Sequence, residues 1–153
     1  MGYDLSGQSP TSNKGSYFRN NVWWWRSLWN FTCQACQDFL TVKDMKAGGS
    51  NDNMLITKPK AKKMANRLNE LLRNGDVVRW KEKYYNEMKK LPLEKCKHCK
   101  GTGTRRDGEK PMRCNACSGY GKTKHWGTHY PFSVSNVKEF AEFVEHSGGF
   151  RIG

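Results

Sequence analysis

Apolar residues recur at helical spacing in four stretches of the chain. The first runs from Val22 through Trp25, Leu28, Trp29, Cys33, Cys36, Phe39 and Leu40, with Asn20 or Asn21 placed to cap it. Trp23 and Trp24 lie off the centre of that stripe, which predicts a helix covered on more than one face. A second helix is predicted after Thr57-Lys58-Pro59, where Ala61, Met64, Ala65, Leu68, Leu71 and Leu72 share a face until Asn74-Gly75 ends it. Asp76 can cap a third, which carries Val77, Trp80, Tyr84 and Met88 and stops at Leu91-Pro92. Together these two predict a basic helical hairpin over residues 57–91. A last helix, capped by Ser133 or Ser135, bears Val137, Phe140, Ala141 and Val144 and is closed by Gly148-Gly149.

Three segments lack that period. Residues 1–19 carry Gly2, Gly7, Pro10 and Gly15 among small polar residues and read as turns with a short extended stretch. Residues 46–54 have the composition of a loop. Residues 94–124 are rich in glycine and cysteine, so something other than apolar burial must organise them. The expected fold is mainly α (small α+β): a single domain over 1–153 in which a helical body carries an inserted four-cysteine zinc β-hairpin module at 94–124.

Composition changes this picture little. The 153 residues are 36% hydrophobic, and mean hydropathy is −0.89. Yet 12% are aromatic, with six tryptophans, unlike the aromatic-poor make-up of a disordered chain. No apolar run is long enough for a membrane span, and the first twenty residues lack the blocks of a signal peptide. The expectation is a cytoplasmic protein without membrane contact.

Charge changes it more. Residues 57–125 hold 20 of the 27 lysines and arginines against 7 acidic residues, whereas the flanking segments are nearly neutral. Such density suits phosphate backbones through counterion release. A solvated lysine-rich surface is the plainer alternative.

In a reducing compartment six cysteines are poor disulfide material, so their spacing is tested first against metal. Cys96-Lys97-His98-Cys99-Lys100-Gly101-Thr102-Gly103 is matched by Cys114-Asn115-Ala116-Cys117-Ser118-Gly119-Tyr120-Gly121, a C-x-x-C-x-G-x-G pattern present twice. Two such knuckles complete the tetrahedron that structural zinc prefers and leave no open position for water. The expectation is one structural Zn²⁺ held by Cys96, Cys99, Cys114 and Cys117. Glycines two and four residues after each second cysteine permit the tight backbone that turns amides toward thiolates.

These repeats resemble half of the cysteine-rich zinc domain of DnaJ-type chaperones. The resemblance covers residues 96–121, with two repeats where that family has four, and no His-Pro-Asp of a J domain is present. It implies a zinc-stabilised β-hairpin module that binds polypeptide or another partner. The opening Gly2-Tyr3-Asp4-Leu5, the run Tyr17 to Trp25 and the closing Ser147 to Ile152 are similar to small proteins of bacteriophages and bacteria, a similarity that brings no activity with it.

Other candidates have bland readings. Cys33 and Cys36, within or late in a helix, read as buried small hydrophobes, and His125 and His129, separated by Gly127, as loop residues. Trp25 and Trp29 read as core, with Trp23 and Trp24 divided between core and binding surface. No Ser/His/Asp grouping, H-E-x-x-H, phosphate loop or carboxylate pair is legible, so a non-enzymatic protein is expected. Its predicted partner is DNA, RNA or a nucleoprotein complex. The contacts would come from Arg105, Arg106, Lys97, Lys100, Lys110, Arg113, Lys122 and Lys124 around the module and from Lys60, Lys63 and Arg67 on the preceding helix. The expectation is a phage-encoded protein acting in the host cytoplasm. Two alternatives stay open: a protein-interaction or inhibitor module that blocks a host or defence protein, steered by positive charge to an acidic partner, or chaperone-like polypeptide binding.

Overall fold

A computed structural model describes the whole chain, Met1 to Gly153, and the side chains of all residues except Asp107. The chain packs into two compact units, one formed by Met1–Tyr84 with Tyr130–Gly153 and the other by Tyr85–His129.

The first unit is built on a four-stranded antiparallel sheet. Strands β1 (Gly2–Gly7), β2 (Tyr17–Asn21), β3 (Met54–Ile56) and, at the end of the chain, β8 (Phe150–Ile152) lie in the order β2-β1-β8-β3. The chain is therefore a mixed α+β protein, which corrects the mainly α expectation. The strands were hidden because β1, β2 and β8 are too short to show a clear alternation and β3, Met54-Leu55-Ile56, is three apolar residues with no period at all. Tyr3 and Leu5 of β1, Phe18 and Asn20 of β2, and Phe150 and Ile152 of β8 are the inward positions, a period of two repeated only twice per strand.

Helices cover that inner face. Helix α1 (Val22–Ala35) starts where Asn21 accepts hydrogen bonds from the amides of Trp23 and Trp24, both at 3.1 Å. Helix α2 (Val42–Ala47) is opened by a reciprocal pair, Thr41 and Asp44 each bonding the other's amide. Helix α3 (Lys58–Arg73) turns Ala61, Met64, Ala65 and Leu68 inward, and α4 (Asp76–Lys89) contributes Val77. Helix α5 (Val134–Ser147), capped by Ser133 through the Asn136 amide at 3.1 Å, buries Val137, Phe140, Ala141, Phe143 and Val144 and packs chiefly on α3.

Aromatic rings fill the core. Trp25 stacks between Tyr3 (5.5 Å) and Trp29 (5.3 Å), with Phe140 edge-on at 5.6 Å. Both buried indole N–H groups are satisfied: Trp25 donates to the Gly48 carbonyl at 2.7 Å and Trp29 to that of Met45 at 2.8 Å. Trp23 divides from them, half-exposed with its ring 5.4 Å from that of Tyr130. No helix among the described residues is long and apolar enough to cross a membrane.

Candidate metal centre

Among its described residues the second unit has no apolar core. Its buried residues, among those described, are Cys96, Cys99, Cys114, Cys117, Gly103 and Gly121. Two short antiparallel ribbons frame them: β4 (Glu94–Lys95) with β7 (Lys122–Thr123), and β5 (Thr104–Asp107) with β6 (Lys110–Arg113).

Each cysteine pair sits on its own knuckle, and the two knuckles repeat the same contacts. Gly103 donates its amide to the Cys99 sulfur and Gly121 to the Cys117 sulfur, both at 3.2 Å. The Cys96 amide reaches the Gly121 carbonyl and the Cys114 amide the Gly103 carbonyl, both at 2.9 Å. This cross-pairing gives the twofold pattern that the sequence repeat foreshadows.

The last glycine of each repeat is where the halves touch. A Cβ on Gly103 would lie 2.4 Å from the Gly119 carbonyl oxygen, and one on Gly121 would lie 2.5 Å from that of Gly101. Both glycines also have left-handed φ, +76° and +74°. A side chain is thus excluded twice over, by strain and by collision.

The four sulfurs lie within 4.8 Å of one another, with Cys99 and Cys117 at 3.7 Å and Cys96 and Cys114 at 4.0 Å. A metal 2.3 Å from each of four tetrahedral sulfurs implies S···S edges of about 3.8 Å. The four buried thiols are therefore spaced to hold one metal ion, and the four-sulfur donor set favours a soft or borderline cation such as zinc. Burial pushes the Cys99 thiol up. Hydrogen bonds from the Gly103 and Gly101 amides and from the Cys117 and Cys96 thiols outweigh this and bring it down to about 6.

No protein-family model matches this chain, and no curated protein or solved structure matches it either. The likeness to DnaJ-type zinc repeats accordingly rests on the residues of the two knuckles.

The remaining cysteines differ. Burial pushes the thiols of Cys33 and Cys36 up to about 12, and neither belongs to a ligand cluster among the described residues. His129 ends a short turn of 3-10 helix, Trp126–His129, and the His125 Nδ1 accepts the Gly127 amide at 3.0 Å.

The structure separates the predicted cationic residues into two groups. On α3, Lys60 is paired with Asp44 at 2.6 Å, Arg67 grips Asp38 through two bonds of 3.0 and 2.9 Å, and Lys63 lies 5.9 Å from the centre of the Phe39 ring. These three are engaged inside their own unit. Around the knuckles, Lys97, Lys100, Arg105, Arg106, Lys110, Lys122 and Lys124 are all exposed. Among the described residues, none of these seven makes a salt bridge.

Arg113 is also exposed, but its Nε donates to the Ser118 carbonyl at 2.7 Å and its stem covers Gly119, which makes it a brace of the second knuckle. Arg105 and Arg106 occupy successive positions of β5, opposite Met112 and Pro111. They therefore fall on opposite faces of the ribbon, although their adjacency in sequence suggests a pair. The same unit carries Tyr120 and Trp126. Both are largely exposed, and a lone aromatic between glycines, as in Gly119-Tyr120-Gly121, is the signal that marks the first.

Proposed function

We propose that this protein is a non-enzymatic nucleic-acid-binding protein whose contact unit, Tyr85–His129, is held in shape by one structural zinc ion. The observation that carries the reading is the uneven treatment of cations in the two units. In the first, sixteen lysines and arginines stand against ten acidic residues, and five of them, Lys14, Arg19, Lys60, Arg67 and Arg79, have a carboxylate partner. In the second, eleven lysines and arginines stand against four acidic residues, and among the described residues none of the eleven has an ion pair, which leaves the exposed ones for a partner outside the chain. Phosphates fit that role, because each contact releases condensed counterions.

Cys96, Cys99, Cys114 and Cys117 would hold the zinc. A closed four-thiolate shell cross-links the two knuckles and has no vacant position for a reacting water, which supports a structural rather than a catalytic part. The geometry of the sulfurs fits that ion. Without it, nothing apolar would keep Lys97, Lys100, Lys122 and Lys124 in register.

The test is binding of metal-loaded protein to DNA and RNA across a salt series. The expected result is a steep linear fall of log affinity with log salt, whose slope drops by about one for each phosphate-contacting lysine or arginine replaced by alanine. Replacing Lys60 or Arg67, which are paired internally, should leave the slope unchanged. Failure to bind any nucleic acid at low salt would overturn the reading and direct the search to an acidic protein.

A further inference from the structure

Tyr120 is 81% exposed and Trp126 is 61% exposed. Both line one groove of about 600 Å³ within the second unit, a size that accommodates small-molecule groups. Lys95, Lys97, Lys122 and Lys124 line the same groove. Its one carboxylate, Glu94, faces His125, with Nε2 and Oε1 3.4 Å apart.

The ribbon beneath makes this charge more telling. In the β4–β7 register Lys95 stands directly opposite Lys122, and like charges in that position destabilise a strand pair. A two-residue ribbon has little else to hold it. An anion across the two ammonium groups converts that repulsion into attraction.

Building on the proposed function, we infer that this groove binds unpaired nucleotides: single-stranded DNA or RNA, with bases stacked on Tyr120 and Trp126 and phosphates against Lys95, Lys97, Lys122 and Lys124. Exposed rings offer π faces that any base can cover, and the flanking lysines follow a flexible backbone. A duplex has its bases already stacked on each other and offers only its phosphates to such a surface. The aromatic pair thus confers a preference for single strands on a unit whose charge alone would accept either form.

The experiment is fluorescence anisotropy of the full, zinc-loaded chain with a dye-labelled oligothymidylate, an oligouridylate and a duplex of equal length. The parent should hold the single strands more tightly than the duplex. Tyr120→Leu with Trp126→Leu should weaken single-strand binding at least ~10-fold while duplex binding changes less than ~2-fold, and Tyr120→Phe with Trp126→Phe should retain the preference. Quenching of tryptophan emission by oligouridylate gives a second readout that needs no leucine variant. Part of the quench should disappear in Trp126→Phe.

Equal binding of single strand and duplex, unaffected by the leucine changes and with the same quench in Trp126→Phe, would overturn the groove while leaving the nucleic-acid reading intact. A parent that binds neither form at low salt overturns both.

Discussion

The two units of this protein solve the same problem by different means. Met1–Tyr84 with Tyr130–Gly153 removes Trp25, Leu28, Ile56, Met64, Leu68, Phe140, Phe143 and Phe150 almost completely from water. Each fully buried side chain of that kind stabilises by roughly 1.5–3 kcal/mol before entropy is counted. Tyr85–His129, by contrast, buries four cysteines and two glycines among its described residues and leaves Leu91, Leu93, Met112, Tyr120 and Trp126 exposed. A unit of that size gains little stability even from a well-formed apolar core, so a metal cross-link is the physically sensible substitute. The difference also explains where the charges can stand. A unit fixed by packing can use its cations internally, as Lys60 and Arg67 are used. One fixed by four thiolates can leave nearly every other side chain to solvent or a partner.

The largest effect that would break this contrast is metal removal. Chelation should release about one metal ion per chain and collapse the amide resonances of residues 85–129 toward random-coil positions. Those of the first unit should stay dispersed. A spectrum in which the second unit keeps its dispersion without metal would end the argument that the cysteines replace a core.

The converse test falls on Trp25, stacked between Tyr3 and Trp29 and bonded to the Gly48 carbonyl at 2.7 Å. Trp25→Ala should cost about 3–5 kcal/mol in urea unfolding of the first unit. Metal content should stay at the parent's stoichiometry. A loss below about 1 kcal/mol would show that the aromatic stack is not what holds this unit.

How much of this was legible in the sequence follows the same division. Helices α1, α3, α4 and α5 were readable because residues such as Trp25, Leu28 and Trp29, or Ala61, Met64, Ala65 and Leu68, keep one face over several turns, whereas α1 ends at Ala35 short of the predicted Leu40 and the six-residue α2 is too short to show a period. The sheet was not, because β3 and β8 are three residues each and β8 pairs only with distant segments, Ile152 lying opposite Met54 and, across almost the whole chain, Leu5. Nothing local announces such pairing. The cysteine cluster was legible because ligand spacing and the paired glycines are local. What spacing could not give was the fate of individual cations. Lys60 and Arg67 look in sequence like Lys122 and Lys124, and only the fold brings Asp44 and Asp38 to the first two.

Asp44 gives the smallest and most selective probe of that internal use of charge. Its carboxylate accepts the Thr41 amide at 2.8 Å and the Lys60 ammonium at 2.6 Å, so it caps α2 and ties it to α3 at once. Burial pushes the carboxyl up, but the bonds from Lys60 and Thr41 outweigh that and hold it below the usual carboxylate range. A folded-state pKa below the unfolded one makes a contribution that is complete above the unfolded value, about 3.9, and is lost as pH falls through the folded value. Asp44→Asn should therefore cost about 1–2 kcal/mol at neutral pH. The gap between parent and variant should hold steady down to about pH 5 and close below about pH 4. Unfolding curves of both proteins, read from resonances of the first unit at several pH values, measure it directly. A gap that widens toward acid would mean that Asp44 is protonated in the folded state and that Lys60 is as free as the lysines of the second unit.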